Sequence, residues 1–314
     1  MKQKPTTAII SGAMIALGLT FGGSQLRAQS EAAEPGPLDL TVSLAGSSTV
    51  VLGEPVLLRY VINNSNGQEA TVYTTDVNHN PLITERFTDA AGRPLVPLAS
   101  PIPLHHMSHT MTSWDGLEVS GSGSTTWEAV ANDHITFPHP DRYVLRVHVE
   151  NGYVMGRMSD VVQGAQHVLA GDYAFPLNVV EAKPAYLRAT AERLRLGVLL
   201  TLDVKARATL IKALFSMPED TASASWEALG QDPKLDSSSL TQVATALARI
   251  HTSGAADILA KIIWEPAQPH EVLAGAAPAQ YLYEMYDTGD SVLKKHIEDL
   301  HKQHGAEMSH FRIE

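Results

Sequence analysis

The period of the hydrophobic pattern changes once along this chain, at the dipeptide Lys183-Pro184. Before that point apolar residues recur at every second position, which is typical of half-buried β-strands. After it they recur at every third or fourth position, which is typical of amphipathic helices. At 314 residues, the chain is long enough for two domains. We therefore expect an α+β protein with a β half followed by an α half.

The β half is predicted to cover residues 38–182. Residues 141–150 are the clearest strand, because Tyr143, Leu145, Val147 and Val149 alternate with polar neighbours. Other segments with strand character lie at 38–44, 56–62, 70–75, 82–88 and 173–180. Turn clusters separate them, among them Asn63-Asn64-Ser65-Asn66-Gly67. Strands joined by turns with no helical period between them predict an antiparallel sandwich.

Two segments carry a resemblance to a known class of domain. They are Leu52-Gly53-Glu54-Pro55-Val56 leading into Tyr60-Val61-Ile62-Asn63-Asn64, and the later Pro140-Asp141-Arg142-Tyr143-Val144-Leu145. In these, the chain resembles the Ig-like or fibronectin-type sandwiches of exported bacterial proteins over residues 38–181. The resemblance implies a fold and no particular activity. The Cys…Trp…Cys core of antibody domains is absent, so no antigen-receptor function is implied.

The α half is predicted to cover residues 183–304, followed by a flexible tail at 305–314. Apolar stripes at helical spacing include Leu187, Ala191, Leu194 and Val198, then Leu240, Val243, Ala244, Leu247 and Ile250. Helix pairs between 237 and 303 resemble HEAT or armadillo repeats, with an ordinary helical bundle as the alternative. The short link with its proline predicts that the two halves are held in contact.

The first 28 residues have the pattern of a cleaved signal peptide. Lys2 and Lys4 precede an apolar stretch at 9–21, and Ala28 is a small residue at a plausible cleavage point. The stretch is shorter than the roughly 20 residues of a membrane-spanning helix, although an uncleaved anchor is the alternative. We expect export to a bacterial periplasm or beyond, no membrane span after cleavage, and a linker at 29–37.

Composition excludes several classes of function. Lys and Arg number 23 against 34 Asp and Glu, a net charge of −11, which disfavours nucleic acid and anionic membranes as partners. The absence of cysteine excludes disulfides, thiolate metal sites and Cys nucleophiles. The sequence also lacks the nucleophile-elbow, dinucleotide-binding, P-loop and zincin motifs. The S-x-x-K match at 291–294 has no companion motifs.

One histidine cluster lies within the predicted long loop 99–124. It contains three histidines and two methionines: His105, His106, Met107, His109 and Met111. Imidazole suits Cu(II) and thioether suits Cu(I), so these five residues form a candidate copper site. The alternative is a polar loop without a metal. Because loops on a rigid sandwich often carry function, 99–124 is also the predicted recognition surface of the β half.

A second cluster consists of His296, His301, His304 and His310 near the C-terminus. His301 and His304 are expected on one helix face with Glu298 close by, and helical histidine pairs at this spacing can hold zinc. The alternative is that they are solvated last-turn residues that complement the helix dipole.

From this pattern we expect a non-enzymatic binding or scaffold protein of the cell envelope that recognises a protein or peptide. Its helical repeats would offer the binding surface. The first alternative is copper binding through the His/Met loop. The second is a hydrolase of envelope polymers whose carboxylates follow no known motif.

Overall fold

The computed structural model describes residues 38–65, 70–72, 83–96, 117–120, 122–133, 135–155, 167–264 and 276–304. The strands are β1 (Leu38–Leu44), β2 (Thr49–Val51), β3 (Leu57–Asn64), β4 (Ala70–Val72), β5 (Ile83–Asp89), β6 (Leu117–Val119), β7 (Ser124–Val130), β8 (Asp141–Met155) and β9 (His167–Val180). The helices are α1 (Pro184–Leu200), α2 (Val204–Phe215), α3 (Glu219–Gly230), α4 (Ser237–Arg249), α5 (Ser253–Trp264), α6 (Ala276–Thr288) and α7 (Ser291–Gln303). The chain is thus mixed α and β, and the helices among the described residues lie in the C-terminal half.

The strands form two sheets. One has the order β1-β3-β7 and is antiparallel throughout. The other has the order β2-β9-β8-β4-β6, with β5 also paired to β8. Its pairs are antiparallel except β2 and β9, which run parallel. Both sheets contribute to one apolar core, which contains Tyr60 of the first sheet and Phe87, Tyr143 and Phe175 of the second.

The alternation read from the sequence places the core residues of this half. Tyr143, Leu145, Val147 and Val149 are all buried, because side chains on a strand point alternately to the two faces of the sheet. In β7 the same alternation places Glu128 and Val130 on the face of the sheet opposite to that core. Val130 packs with the helices on that face.

The helices build a second core with their apolar stripes. Every residue of the stripes predicted in α1 and α4 is buried. Asp236 caps α4 through its Oδ1, which accepts from the Ser239 backbone N–H at 2.9 Å. Helix α4 packs against α2, α3, α5 and α6, and α7 packs against α5 and α6. Within the described part of the chain, no helix combines the length and hydropathy of a bilayer-crossing segment.

The two halves are in contact, as the short link predicts. The Thr209 hydroxyl of α2 donates to the Glu128 carbonyl of β7 at 3.0 Å. The Tyr186 hydroxyl of α1 donates to the Glu54 carboxylate at 2.6 Å. Gly53, in the turn before Pro55, faces Pro218 at the start of α3.

Some element bounds differ from the predictions. The predicted turn at Asn63-Asn64 belongs to β3, because Asn64 pairs with Leu38 and its side-chain amide donates to the Val119 carbonyl at 3.3 Å. Helix α6 is described from Ala276 to Thr288 and contains Pro278. The signal peptide, the linker and the 305–314 tail lie outside the described residues.

Candidate functional site

The five predicted copper ligands, His105, His106, Met107, His109 and Met111, lie outside the described residues. Copper binding there stays a prediction. Across the ranges that the structure describes, no three His, Asp or Glu side chains gather in a way that would hold a metal ion.

The end of the predicted loop 99–124 is a strand and a turn. Residues 117–119 form β6, and Ser124 begins β7. Between them the Gly123 N–H donates to the Ser120 carbonyl at 3.0 Å, and the Gly123 carbonyl accepts from the Asn64 N–H at 2.8 Å. Ser120 and Gly123 therefore belong to a hydrogen-bonded turn between β6 and β7, which lie in different sheets.

The C-terminal histidines do not share a solvated face. His301 is 4% exposed and packs edge-on against Trp264, with ring centroids 5.0 Å apart. His304 stacks on the same ring at 4.8 Å. Burial lowers the pKa of His301, and the neighbouring His304 lowers it further. Sequence reasoning missed this packing because Trp264 lies 37 residues earlier in the chain.

Two other side chains of this region have partners on neighbouring helices. The Glu298 carboxylate accepts from the Tyr286 hydroxyl at 3.0 Å and so has a partner other than His301. His296 Nε2 lies 2.8 Å from the Asp257 carboxylate. His310 lies outside the described residues. The described histidines here link helices α5 and α7.

Exposed aliphatic side chains gather where α1 ends and α2 begins. They are Leu196, Leu200, Leu202 and Val204, with exposures of 44%, 70%, 91% and 64%. We refer to these four residues as the aliphatic corner. The sequence carries a signal for it, since the end of α1 is apolar on more than one face at Val198, Leu199 and Leu200. A helix that buries one stripe leaves the other apolar positions in solvent.

A shallow pocket lies at the opposite end of α2. Its volume is about 300 Å³ including the space open to solvent, and its lining residues are Phe215, Met217, Glu219, Trp226, Ala246, Arg249 and Ile250. We refer to it as the Arg249 pocket. Three helices supply it, since Phe215 ends α2, Glu219 begins α3 and Arg249 ends α4.

The cation in this pocket lies against aromatic rings. The Arg249 guanidinium carbon is 4.8 Å from the centroid of the Phe215 ring, a cation–π arrangement. Phe215 in turn meets the Trp226 ring edge-on at 5.5 Å. Burial lowers the pKa of Arg249, and the Glu219 carboxylate opposes that change. Arginine nevertheless stays charged in proteins, so the pocket contains a half-buried cation.

A third feature lies between the two sheets. The Tyr60 hydroxyl donates to Glu85 Oε1 at 2.7 Å, and the Tyr60 ring stacks on Trp127 at 4.8 Å. Burial raises the pKa of Glu85 to about 7, although the Tyr60 hydrogen bond opposes the rise. Asp133 raises this pKa further and Lys212 lowers it. The carboxyl group therefore changes charge near neutral pH within the β half.

Comparisons with known proteins give no family. No family model and no curated protein match the sequence. A β-glucosidase from Listeria innocua matches at 13% identity over 46% of this chain and 16% of its own, with a TM-score of 0.22. The periplasmic chaperone SfaE matches at 11% identity over 46% and 57%, with a TM-score of 0.20.

A Salmonella alpha-2-macroglobulin mutant matches at 11% identity over 85% of this chain and 23% of its own, with a TM-score of 0.24. The aligned parts span less than two thirds of each of these three chains. Similarity at this level does not define the fold or function of this chain.

Proposed function

We propose that this chain is a non-enzymatic, exported binding protein of the bacterial cell envelope that recognises a protein or peptide through its helical half. The aliphatic corner carries this proposal. It places four large aliphatic side chains in solvent within nine residues of chain. Contiguous exposed apolar patches on soluble domains commonly mark interaction sites.

The occupant we propose for the corner is a short apolar segment of a partner. Full burial of a leucine side chain contributes on the order of 1.5–3 kcal/mol, so several leucines together support measurable binding. Four side chains nevertheless cover less than the roughly 800 Å² per partner of a standard protein–protein interface. A short segment fits this size better than a second globular surface.

We further propose that the β half is an Ig-like sandwich. The two sheets share one core, and Tyr143 near the start of β8 donates its hydroxyl to the His139 carbonyl at 2.8 Å. Ig-like domains have such a tyrosine, bonded to the backbone a few residues upstream. We also propose that α4–α7 form HEAT-like pairs, with the sandwich as a rigid base.

Site-specific photo-crosslinking in the full chain tests the binding proposal. A photoreactive amino acid is placed at Leu202, and in a control chain at Val292, which is 71% exposed on α7. We expect the chain labelled at position 202 to form a discrete crosslinked adduct with the partner, and the chain labelled at position 292 to form none. The adduct should disappear when Leu200→Ser and Val204→Ser are added, with the thermal unfolding midpoint retained.

Two results would overturn the proposal. One is the same set of adducts from positions 202 and 292, which would show contact without selectivity. The other is an adduct at 202 that persists in the Leu200→Ser/Val204→Ser chain.

A further inference from the structure

We propose that the Arg249 pocket is a second binding site, which takes a carboxylate attached to an apolar residue. The ligand to which we commit is the C-terminal residue of a peptide with an apolar side chain. The pocket is separate from the aliphatic corner, because Phe215 lies eleven residues along α2 from Val204. At 1.5 Å per residue that is about 16 Å.

The first argument is the state of the Arg249 side chain. Its guanidinium is half-buried and lies over the Phe215 ring. Within the described residues this side chain forms no hydrogen bond or ion pair, and the charge that acts on it is that of the Glu219 carboxylate. The contact with the Phe215 ring is a cation–π contact and provides no oxygen acceptor for the N–H donors of the guanidinium. A carboxylate accepts two such N–H groups side by side, a strong charge-assisted pair.

The second argument is the apolar lining. Beside the guanidinium, the pocket is walled by Phe215, Met217, Trp226 and Ile250. The apolar walls and the guanidinium lie within one shallow pocket, so an apolar group and a carboxylate of the same residue can contact both. The lining therefore favours a ligand in which an apolar group and a single carboxylate are adjacent.

The third argument is the charge around the pocket. Glu219 is one of the lining residues and Asp220 follows it in the first turn of α3. The whole chain carries a net charge of −11. A ligand with several carboxylates is repelled by these charges, whereas one carboxylate can pair with Arg249. This selects an apolar C-terminus over an acidic internal segment.

Peptide titrations of the full chain test this proposal. The probes are acetyl-Ala-Ala-Leu with a free carboxylate, the same peptide amidated, and amidated acetyl-Ala-Glu-Ala, which offers a side-chain carboxylate only. Binding is followed by calorimetry and by the Arg249 Nε–Hε NMR signal, assigned from its loss in Arg249→Gln. We expect amidation to weaken binding roughly tenfold or more, as loss of a charge-assisted pair does.

Variants separate the site from general effects. Arg249→Gln should abolish the preference for the free carboxylate, and Arg249→Lys should keep only part of it, because lysine cannot make the planar pair. Arg188→Gln is the matched control, since Arg188 is an exposed arginine on α1. It should leave every affinity unchanged. Glu219→Gln should strengthen binding of both peptides that carry a carboxylate.

Three results would overturn the proposal. They are equal affinity for the free and amidated leucine peptides, an unchanged preference in Arg249→Gln, and tighter binding of the glutamate peptide than of the free leucine peptide. None of these three results bears on the aliphatic corner, because crosslinking from position 202 is measured without these peptides.

Discussion

Tyr60 and Glu85 lie on facing sheets and share a hydrogen bond of 2.7 Å from the tyrosine hydroxyl to the carboxyl group. Glu85 lies two residues before the buried Phe87 on β5, so the two side chains point to the same, interior face of the sheet. Burial raises its pKa from 4.5 to about 7. Because the folded chain holds this proton more tightly than the unfolded chain, the stability that it contributes depends on pH.

We predict that the stability contributed by the protonated Glu85 carboxyl group is fully present below pH 4.5 and is lost as the pH rises through 7. Taken in full, the shift in pKa corresponds to a loss of slightly more than about 3 kcal/mol, and we expect about 2 kcal/mol because part of Glu85 still meets solvent. Urea unfolding between pH 4.5 and 8.5 measures it. Glu85→Gln keeps a hydrogen-bond acceptor for Tyr60. In this variant the part of the slope of unfolding free energy against pH that is due to Glu85 should vanish.

Two further variants check the assignment. Glu181→Gln removes an exposed carboxylate at the end of the β half and should leave the slope in place. Tyr60→Phe removes the hydrogen bond that opposes the rise, so the pKa of Glu85 should increase further. A slope identical in the wild type and Glu85→Gln would refute this account.

Gly53 is predicted to be required where the two halves meet. A Cβ added at this position lies 2.7 Å from Cγ of Pro218, and the residue has a φ of +89°. Gly53→Ala therefore combines backbone strain with a clash, and we expect a loss of about 2–4 kcal/mol in unfolding free energy. Thermal and urea unfolding measure it.

Gly92→Ala is the matched control for that variant. Gly92 has a similar φ of +80°, but an added Cβ meets nothing within 4 Å. It should show the backbone strain alone, on the order of 1 kcal/mol. Equal losses in the two variants would mean that the contact with Pro218 adds nothing to stability.

Asn132 is predicted to fix the turn that leads into β3. Its Oδ1 accepts from the Val56 N–H at 2.7 Å and its Nδ2 donates to the Glu54 carbonyl at 3.2 Å. Asn132→Ala leaves a buried N–H without this acceptor, so we expect a loss of about 1–3 kcal/mol. Asn63→Ala, at an exposed position of β3, should change stability by less than about 0.5 kcal/mol.

Hydrogen exchange provides a second measurement for Asn132→Ala. The Val56 amide should lose protection in this variant and keep it in Asn63→Ala. Retained protection at Val56 would show that the amide has found another acceptor and that the proposed role is wrong.

His301 is predicted to titrate below the ordinary histidine range. Burial lowers its pKa, and His304 adds to the effect. Because the folded chain holds this proton less tightly than the unfolded chain, the stability that it contributes is present above pH 6.5 and falls as the pH drops below that value. An NMR titration of the imidazole signals measures the pKa directly.

His304→Gln separates the two causes of that shift. It removes the nearby charge but leaves the burial of His301 against Trp264, so the pKa of His301 should rise and still stay below the ordinary value. A His301 pKa at or above 6.5 in the wild-type chain would contradict the prediction.

Local regularities allowed much of the fold to be predicted. The change from strands to helices and the buried positions of β8, α1 and α4 follow from short-range patterns, whereas β2, β6, β7 and α3 were not predicted. Such patterns are visible in the sequence because each secondary structure repeats its side-chain directions at a fixed period. The candidate sites are different. The predicted copper ligands are outside the described residues, and neither the Arg249 pocket nor the burial of His301 was predicted.

The sequence by itself determined where the chain changes from strands to helices and which face of each element is apolar. The tertiary structure decided which distant residues meet: Arg249 with Phe215, Tyr60 with Glu85, and Gly53 with Pro218. Periodicity sets the direction of a side chain relative to its own element, but only the packing of separate elements brings such pairs within a few ångströms. Burial and neighbouring charges then set the chemistry of those groups, because desolvation depends on every element packed around them.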